Sequence, residues 1–239
     1  MRTGERDLLL MILAASAGSA DGWSYFGIGH AFVANMTGNT VLLGVNVFRH
    51  TGEVLHPAIA IGCYAAGVIF ASALTRNLRE GDPWPRSVSA TLLLESLILF
   101  GAEITWAAIF RHSAHDSQFA VLFRNVLLGA VGFAVGMQSG AMVQLKIPGV
   151  VTTYITGTWT SLMNGIVDFA SGRDRTPPRK KVALEERLLL QGAILAAYFL
   201  AAMLVGWILQ RLPAAAGAVP AASVFVVAVF GLTRGGAAA

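Results

Sequence analysis

The chain has 239 residues, of which 55% are hydrophobic and only 13% charged. A soluble domain carries about 25% charged residues, so the composition excludes an ordinary soluble globule and points to a polytopic membrane protein. The net charge of +4 does not suggest a nucleic-acid partner, and a single cysteine, Cys63, rules out an internal disulfide framework.

Eight hydrophobic segments follow one another. Helix 1 is predicted at about 8–25. Its start, Arg2 and Arg6 ahead of "LLLMILAASAGSA", has the outline of a signal peptide. Acidic Glu5 and Asp7 interrupt that outline, and a counterpart of the segment later in the chain favours a helix of the domain itself. An extended stretch at about 26–36 then leads into a short helix 2 at about 37–48. Helices 3 and 4 are predicted at about 57–77 and 87–110, and helix 5 at about 121–141. A second extended stretch, about 142–155, precedes a short helix 6 at about 156–169. Helices 7 and 8 close the chain at about 186–210 and 216–233. The uncharged runs Ile147–Val167, Leu188–Gln210 and Leu212–Thr233 are each long enough for a bilayer, which needs roughly 20 apolar residues. The basic cluster "SGRDRTPPRKK" (171–181) reads as a cytoplasmic loop near anionic lipid.

The halves resemble each other. "MTGNTVLL" (36–43) aligns with "ITGTWTSL" (155–162). Upstream, Ala14, Gly18 and Gly22 on helix 1 match Gly132, Gly136 and Gly140 on helix 5. A spacing of four puts each set on one face, where backbones approach closely in lipid. Downstream, 61–77 resembles 195–211, with Tyr64 aligned to Tyr198. The expectation is a single membrane domain, 1–239, built from repeats at about 8–110 and 121–233.

Helix 2 is too short to span. Twelve residues rise roughly 18 Å, against a hydrocarbon core of about 30 Å. Non-helical backbone at membrane depth is tolerated only where it is buried in protein or lines a cavity. The expected fold is therefore all-α, with six full spans and two half-helices, each preceded by an extended segment, arranged as inverted repeats. The alternative is eight spans in parallel repeats. The positive-inside rule fits both and puts both termini in the cytoplasm. A chain this small leaves a homodimer open as the assembly.

The polar residues of the two TG motifs are the candidate site. A half-helix starting at Thr37 presents free N–H groups and the positive end of its dipole, with Thr37 as N-cap. Gly38 lets a ligand approach, and Asn39 and Thr40 add side-chain partners, as do Thr158 and Thr160 in the second half. Two such termini meeting at the midplane would bind an anion or a polar neutral solute; separately, they are ordinary helix caps. Asp21, late in helix 1, is the acidic residue expected to face that site or a water-filled cavity. Gln138 occupies the comparable region of helix 5. Glu95 and Glu103 lie eight residues apart on one face of helix 4 and are candidates to carry protons, or to pair with Arg124. Lys146 could attract an anion or snorkel to the interface. His112, His115 and Asp116 stand in a short loop without further ligands, so no metal is expected, and no cofactor motif or catalytic set is evident.

With these residues in hand, the chain resembles the YoaK family of bacterial multi-span membrane proteins, which is defined by a domain of unknown function. The resemblance rests on "AGSADGWSYFGIGHAFVANMTGNTVLLG" (17–44), "GMQSG" (136–140) and "TTYITGTWTSL" (152–162). Asp21, Asn35, Thr37, Gly38, Asn39, Thr40, Gln138, Thr152, Thr153, Thr156 and Gly157 match the family pattern, which departs at Ser139, where Asn is usual. The resemblance implies a protein of the bacterial inner membrane and names no substrate. The residues favour a small secondary transporter, with a passive channel or a membrane scaffold as alternatives and an enzyme set aside.

Overall fold

The structure, a computed structural model, describes residues 3–49, 54–76, 84–111, 118–145, 155–171 and 178–234. Eight α-helices follow in chain order: α1 (Thr3–Trp23), α2 (Met36–Arg49), α3 (Leu55–Thr75), α4 (Arg86–Arg111), α5 (Gln118–Gln144), α6 (Ile155–Ala170), α7 (Pro178–Arg211) and α8 (Ala218–Arg234). No strand occurs among the described residues. In lipid every backbone polar group must be satisfied within the protein, and helices do this segment by segment.

Five helical stretches are long and apolar enough to cross a membrane: Leu55–Thr75, Arg86–Ala108, Val121–Gln144, Ala183–Arg211 and Pro213–Arg234. At 14 and 16 residues, α2 and α6 rise only roughly 21 and 24 Å. The helix α1 does not join the five. It carries Arg6, Asp7 and Asp21, together with a run of Ala, Gly and Ser, and twelve of its 21 residues are buried. It is the central helix of the domain, sheathed by its neighbours.

Small residues set the packing. A Cβ at Gly18 would land on the backbone carbonyl of Tyr198, and Gly22 lies against Ala202, so α1 and α7 run side by side in the same direction. In the same way Gly132, Gly136 and Gly140 lie against Ala60, Tyr64 and Val68, so α5 and α3 also run in one direction. Each small-residue face predicted from the four-residue spacing is thus the seam of a tight helix pair. The opposite sense holds between α4 and α8: Glu103 meets Gly217, Phe100 meets Phe225, and Ser89 lies against Gly231.

The first extended stretch is much shorter than the predicted 26–36. After α1 the helical path widens into a π-helical turn, Ser24–Gly29, in which the His30 N–H donates to the Tyr25 carbonyl at 3.1 Å. His30 is left-handed (φ 52°) and ends the turn. Only residues 30–35 are non-helical. Tyr25 stacks on Phe32 at 4.6 Å, which folds the chain back toward the helix it has just left. The second predicted stretch, 142–155, is helical up to Gln144, and its remainder falls largely outside the described residues.

Candidate functional site

The turn between α1 and α2 carries exposed peptide N–H groups inside the protein, and Asp21 satisfies them. Its side chain is buried, 3% exposed. Oδ1 accepts from the backbone N–H of Val33 at 2.7 Å, Ala34 at 2.6 Å and Asn35 at 3.4 Å. Oδ2 accepts from the hydroxyl of Tyr198 on α7. One carboxylate therefore ties α1, the turn and α7 together. In a low-dielectric interior such a network rigidifies the backbone it holds.

Asn39 completes the fastening. Its Oδ1 accepts from the Phe32 N–H at 2.8 Å and its Nδ2 donates to the Phe32 carbonyl at 2.5 Å, and the residue is fully buried. The sequence reading placed Asn39 as a ligand donor; both of its polar groups are instead engaged with the backbone of the turn. The N-cap also differs. Asn35, not Thr37, caps α2, its Oδ1 accepting from the Gly38 N–H at 3.0 Å. A Cβ on Gly38 would press on the Asn35 side chain and the Phe32 ring, which accounts for glycine there. Of the first-turn amides of α2, that of Thr37 keeps no partner among the described residues, because Met36 and Asn39 bond to Ala34 and Asn35.

Beside this turn is a cleft of about 300 Å³. The start of α2 lines it with Ala34, Asn35, Met36 and Thr37, and the start of α6 lines it with Ile155 and Thr156. Tyr64 of α3 and Tyr198 of α7 form its flanks. Six of the eight wall residues pair across the aligned halves: Met36 with Ile155, Thr37 with Thr156 and Tyr64 with Tyr198. Neither tyrosine hydroxyl is left for a ligand, since Tyr198 donates to Asp21 and Tyr64 donates to Ser139 Oγ at 2.7 Å. Among the described residues no charged side chain lines the cleft.

Ser139 is therefore the positional counterpart of Asp21, and it hydrogen-bonds although it departs from the family pattern. The sequence reading chose its neighbour Gln138. That residue is fully buried and its Nε2 donates to the Leu13 carbonyl at 3.1 Å, a contact between α5 and α1. The two tyrosines were aligned from sequence but not recognised as site residues. Their matched positions on the two helices that face the glycine-bearing α1 and α5 are the available signal.

The other candidates divide. Thr40 is exposed and donates to the Met36 carbonyl of its own helix at 2.9 Å. Thr158, the counterpart of Asn39, is buried, 1% exposed, and Thr160 bonds to the Thr156 carbonyl at 3.1 Å. Gly157 follows Thr156 in the first turn of α6. Thr152, Thr153, Lys146, His112, His115 and Asp116 lie outside the described residues. Glu95 is fully buried in α4 with no hydrogen-bond partner, and Glu103 accepts from the Gly217 N–H at 2.8 Å. Neither pairs with Arg124, and neither lines the cleft. Among the described residues no group of three metal-ligating side chains converges.

A family model described as a protein of unknown function (DUF1275) matches residues 9–230. The chain is also 32% identical over 191 residues to the UPF0700 transmembrane protein YoaK of Bacillus subtilis (strain 168), across 80% of this chain and 78% of that protein. No solved structure matches.

Proposed function

The chain belongs to the YoaK (DUF1275) family of multi-pass membrane proteins, and from that premise we propose that it is a small secondary transporter, not an enzyme, for a polar or singly charged anionic solute. The observation that carries this reading is the cleft between the first turns of α2 and α6. Thr37 and Thr156 line it from the first turns of two short helices far apart in sequence, where the positive ends of the helix dipoles lie. The described lining, polar and without a charged side chain, suits a neutral or singly charged solute, since a more highly charged one would be desolvated without compensation there.

Helix directions support inverted repeats. Parallel repeats would make α4 and α8 run the same way, but they run opposite, while α1 with α7 and α5 with α3 form equivalent pairs. In this reading α2 and α6 are half-helices that turn back from the midplane, α1 is the sixth span, and alternating access comes from rocking one repeat against the other. The bacterial relative and the positive-inside rule support an inner-membrane location with both termini cytoplasmic. Asp21 couples a proton by exchanging acceptor capacity at its oxygens, which would loosen the turn or the Tyr198 contact. Glu95 and Glu103 form a second set on α4. A homodimer remains part of this proposal.

A second reading, a membrane scaffold without transport, is favoured by one observation: Asp21, Asn35 and Asn39 are all engaged within the fold. Thermal stability in detergent, screened against small anions, organic acids, nucleobases and sugars, separates the two. A ligand at 100 times its dissociation constant stabilises by about 2.7 kcal/mol. Uptake of that ligand into reconstituted vesicles, accelerated by a proton gradient, supports the carrier. Gradient-independent uptake supports a channel, and no stabilisation across the panel supports the scaffold.

A further inference from the structure

The two half-helices differ along their length. On α6, Ser161, Asn164 and Asp168 follow the TG motif at spacings of three and four, which places them on one face. That face meets α7, which runs antiparallel to it: Gly165 lies against Leu188 and Leu184. Between the helices is a groove of about 180 Å³. At its inner end Ser161 Oγ accepts from Gln191 Nε2 at 2.9 Å and from Arg187 Nη2 at 2.5 Å. Gln191 is fully buried. Asp168 lines the outer end, and no ion pair joins it to Arg187.

The groove points at the cleft. Gln191 is two turns, roughly 10 Å, from Tyr198, and Ser161 is roughly 7.5 Å along the helix from Thr156. Its other end lies where α6 ends at Ala170 and α7 begins at Pro178, by the basic cluster at 171–181, whose last residues form the first turn of α7. The aligned positions of the first half hold Leu42, Val45 and Pro57 in place of Ser161, Asn164 and Gln191, while Arg49 and Glu53 stand in place of Asp168 and Arg187, so charge recurs with opposite sign and the polar inner stretch does not. Polar side chains in a membrane segment are costly and face a cavity or a partner, so a polar inner stretch present in one half only marks a difference in water access.

We propose that the α6–α7 groove is the water-filled entrance by which a small anion reaches the central cleft from the cytoplasmic side, with Arg187 as the residue that draws it in. This rests on the cleft being a solute site, but its test does not. In a Cys63→Ala background, Asn164→Cys and Val45→Cys are labelled with an anionic and a cationic methanethiosulfonate reagent, in inside-out and right-side-out vesicles. Asn164→Cys labels at least about tenfold faster in inside-out vesicles and prefers the anionic reagent, while Val45→Cys labels slowly there. Arg187→Gln lowers the anionic preference by about tenfold, and Arg187→Lys restores it. Equal labelling of the two cysteines, faster labelling from the outside, or a preference indifferent to Arg187 overturns the proposal. Normal labelling with no stabilising solute counts against the transporter and leaves the groove as an aqueous path.

Discussion

Replacing Asp21 tests the fastening of the turn most sharply. Asp21→Ala strands the Val33 and Ala34 amides, bonded at 2.7 and 2.6 Å, and the Tyr198 hydroxyl. A buried donor left without a partner costs about 1–3 kcal/mol. With the hydroxyl free to reorient, the two amides give a loss of about 2–6 kcal/mol. Asp21→Asn keeps one acceptor oxygen for the two amides and offers an NH₂ to the tyrosine oxygen. It forfeits charge assistance, the difference between about 1.5–3 kcal/mol for a charged bond and about 1 kcal/mol for a neutral one, and, as in the alanine variant, leaves the tyrosine O–H to reorient. The expected loss is about 1–2 kcal/mol. At roughly 2–4 °C per kcal/mol for a chain of this size, thermal unfolding in detergent should show a drop of about 4–24 °C for Ala and a smaller one, about 2–8 °C, for Asn. Equal drops for the two variants would refute the hydrogen-bond reasoning. A wild-type melting point for Asp21→Ala would show that the turn does not depend on this carboxylate.

Further outcomes follow from the packing and the caps. Gly18→Ala and Gly136→Ala each drive a methyl into a facing carbonyl, of Tyr198 and Tyr64 respectively, and should each destabilise by about 1–3 kcal/mol in the same unfolding assay. Gly101→Ala, with nothing near the added carbon, should be neutral or stabilising by up to about 1 kcal/mol. Asn39→Ala removes both bonds to Phe32 and should cost about 2–4 kcal/mol; limited proteolysis should then cut in 30–35, and an uncut turn would contradict the role given to Asn39. A cysteine at Thr51 should label from the periplasmic side if α2 turns back, and labelling only from the cytoplasm would count against inverted repeats.

Much of the architecture was legible in the residues. Hydrophobic runs placed the body of all eight helices, but not their charged ends: α1 starts at Thr3 and α7 at Pro178, each with a polar turn or more ahead of the apolar run, where the expectation was about 8 and 186. The glycines at spacings of four announced the α1–α7 and α3–α5 seams, because a small face has one use in lipid. What could not be read was long-range. Asp21 and Tyr198 are 177 residues apart, and no local pattern announces that they meet. Nor does sequence distinguish a motif that binds a ligand from one that binds its own backbone: Asn39 has the chemistry for either, and the nearby Phe32 peptide decided it. The π-helical turn stayed hidden because "GIGHAFVANM" lacks an apolar stripe, which was read as extended chain. In the structure Tyr25 and His30 close a wider helical turn there instead.

The most direct measurement is the dissociation constant of a stabilising solute for the wild-type protein and for Thr37→Val combined with Thr156→Val. Valine keeps the shape of each side chain and removes only the two hydroxyls that face the cleft. Each lost hydrogen bond is worth about 0.5–1.5 kcal/mol, so the affinity should fall about tenfold or more while the ligand-free melting point stays within a degree or two. Unchanged affinity in the double variant would place the solute elsewhere and return the two motifs to the role of helix caps.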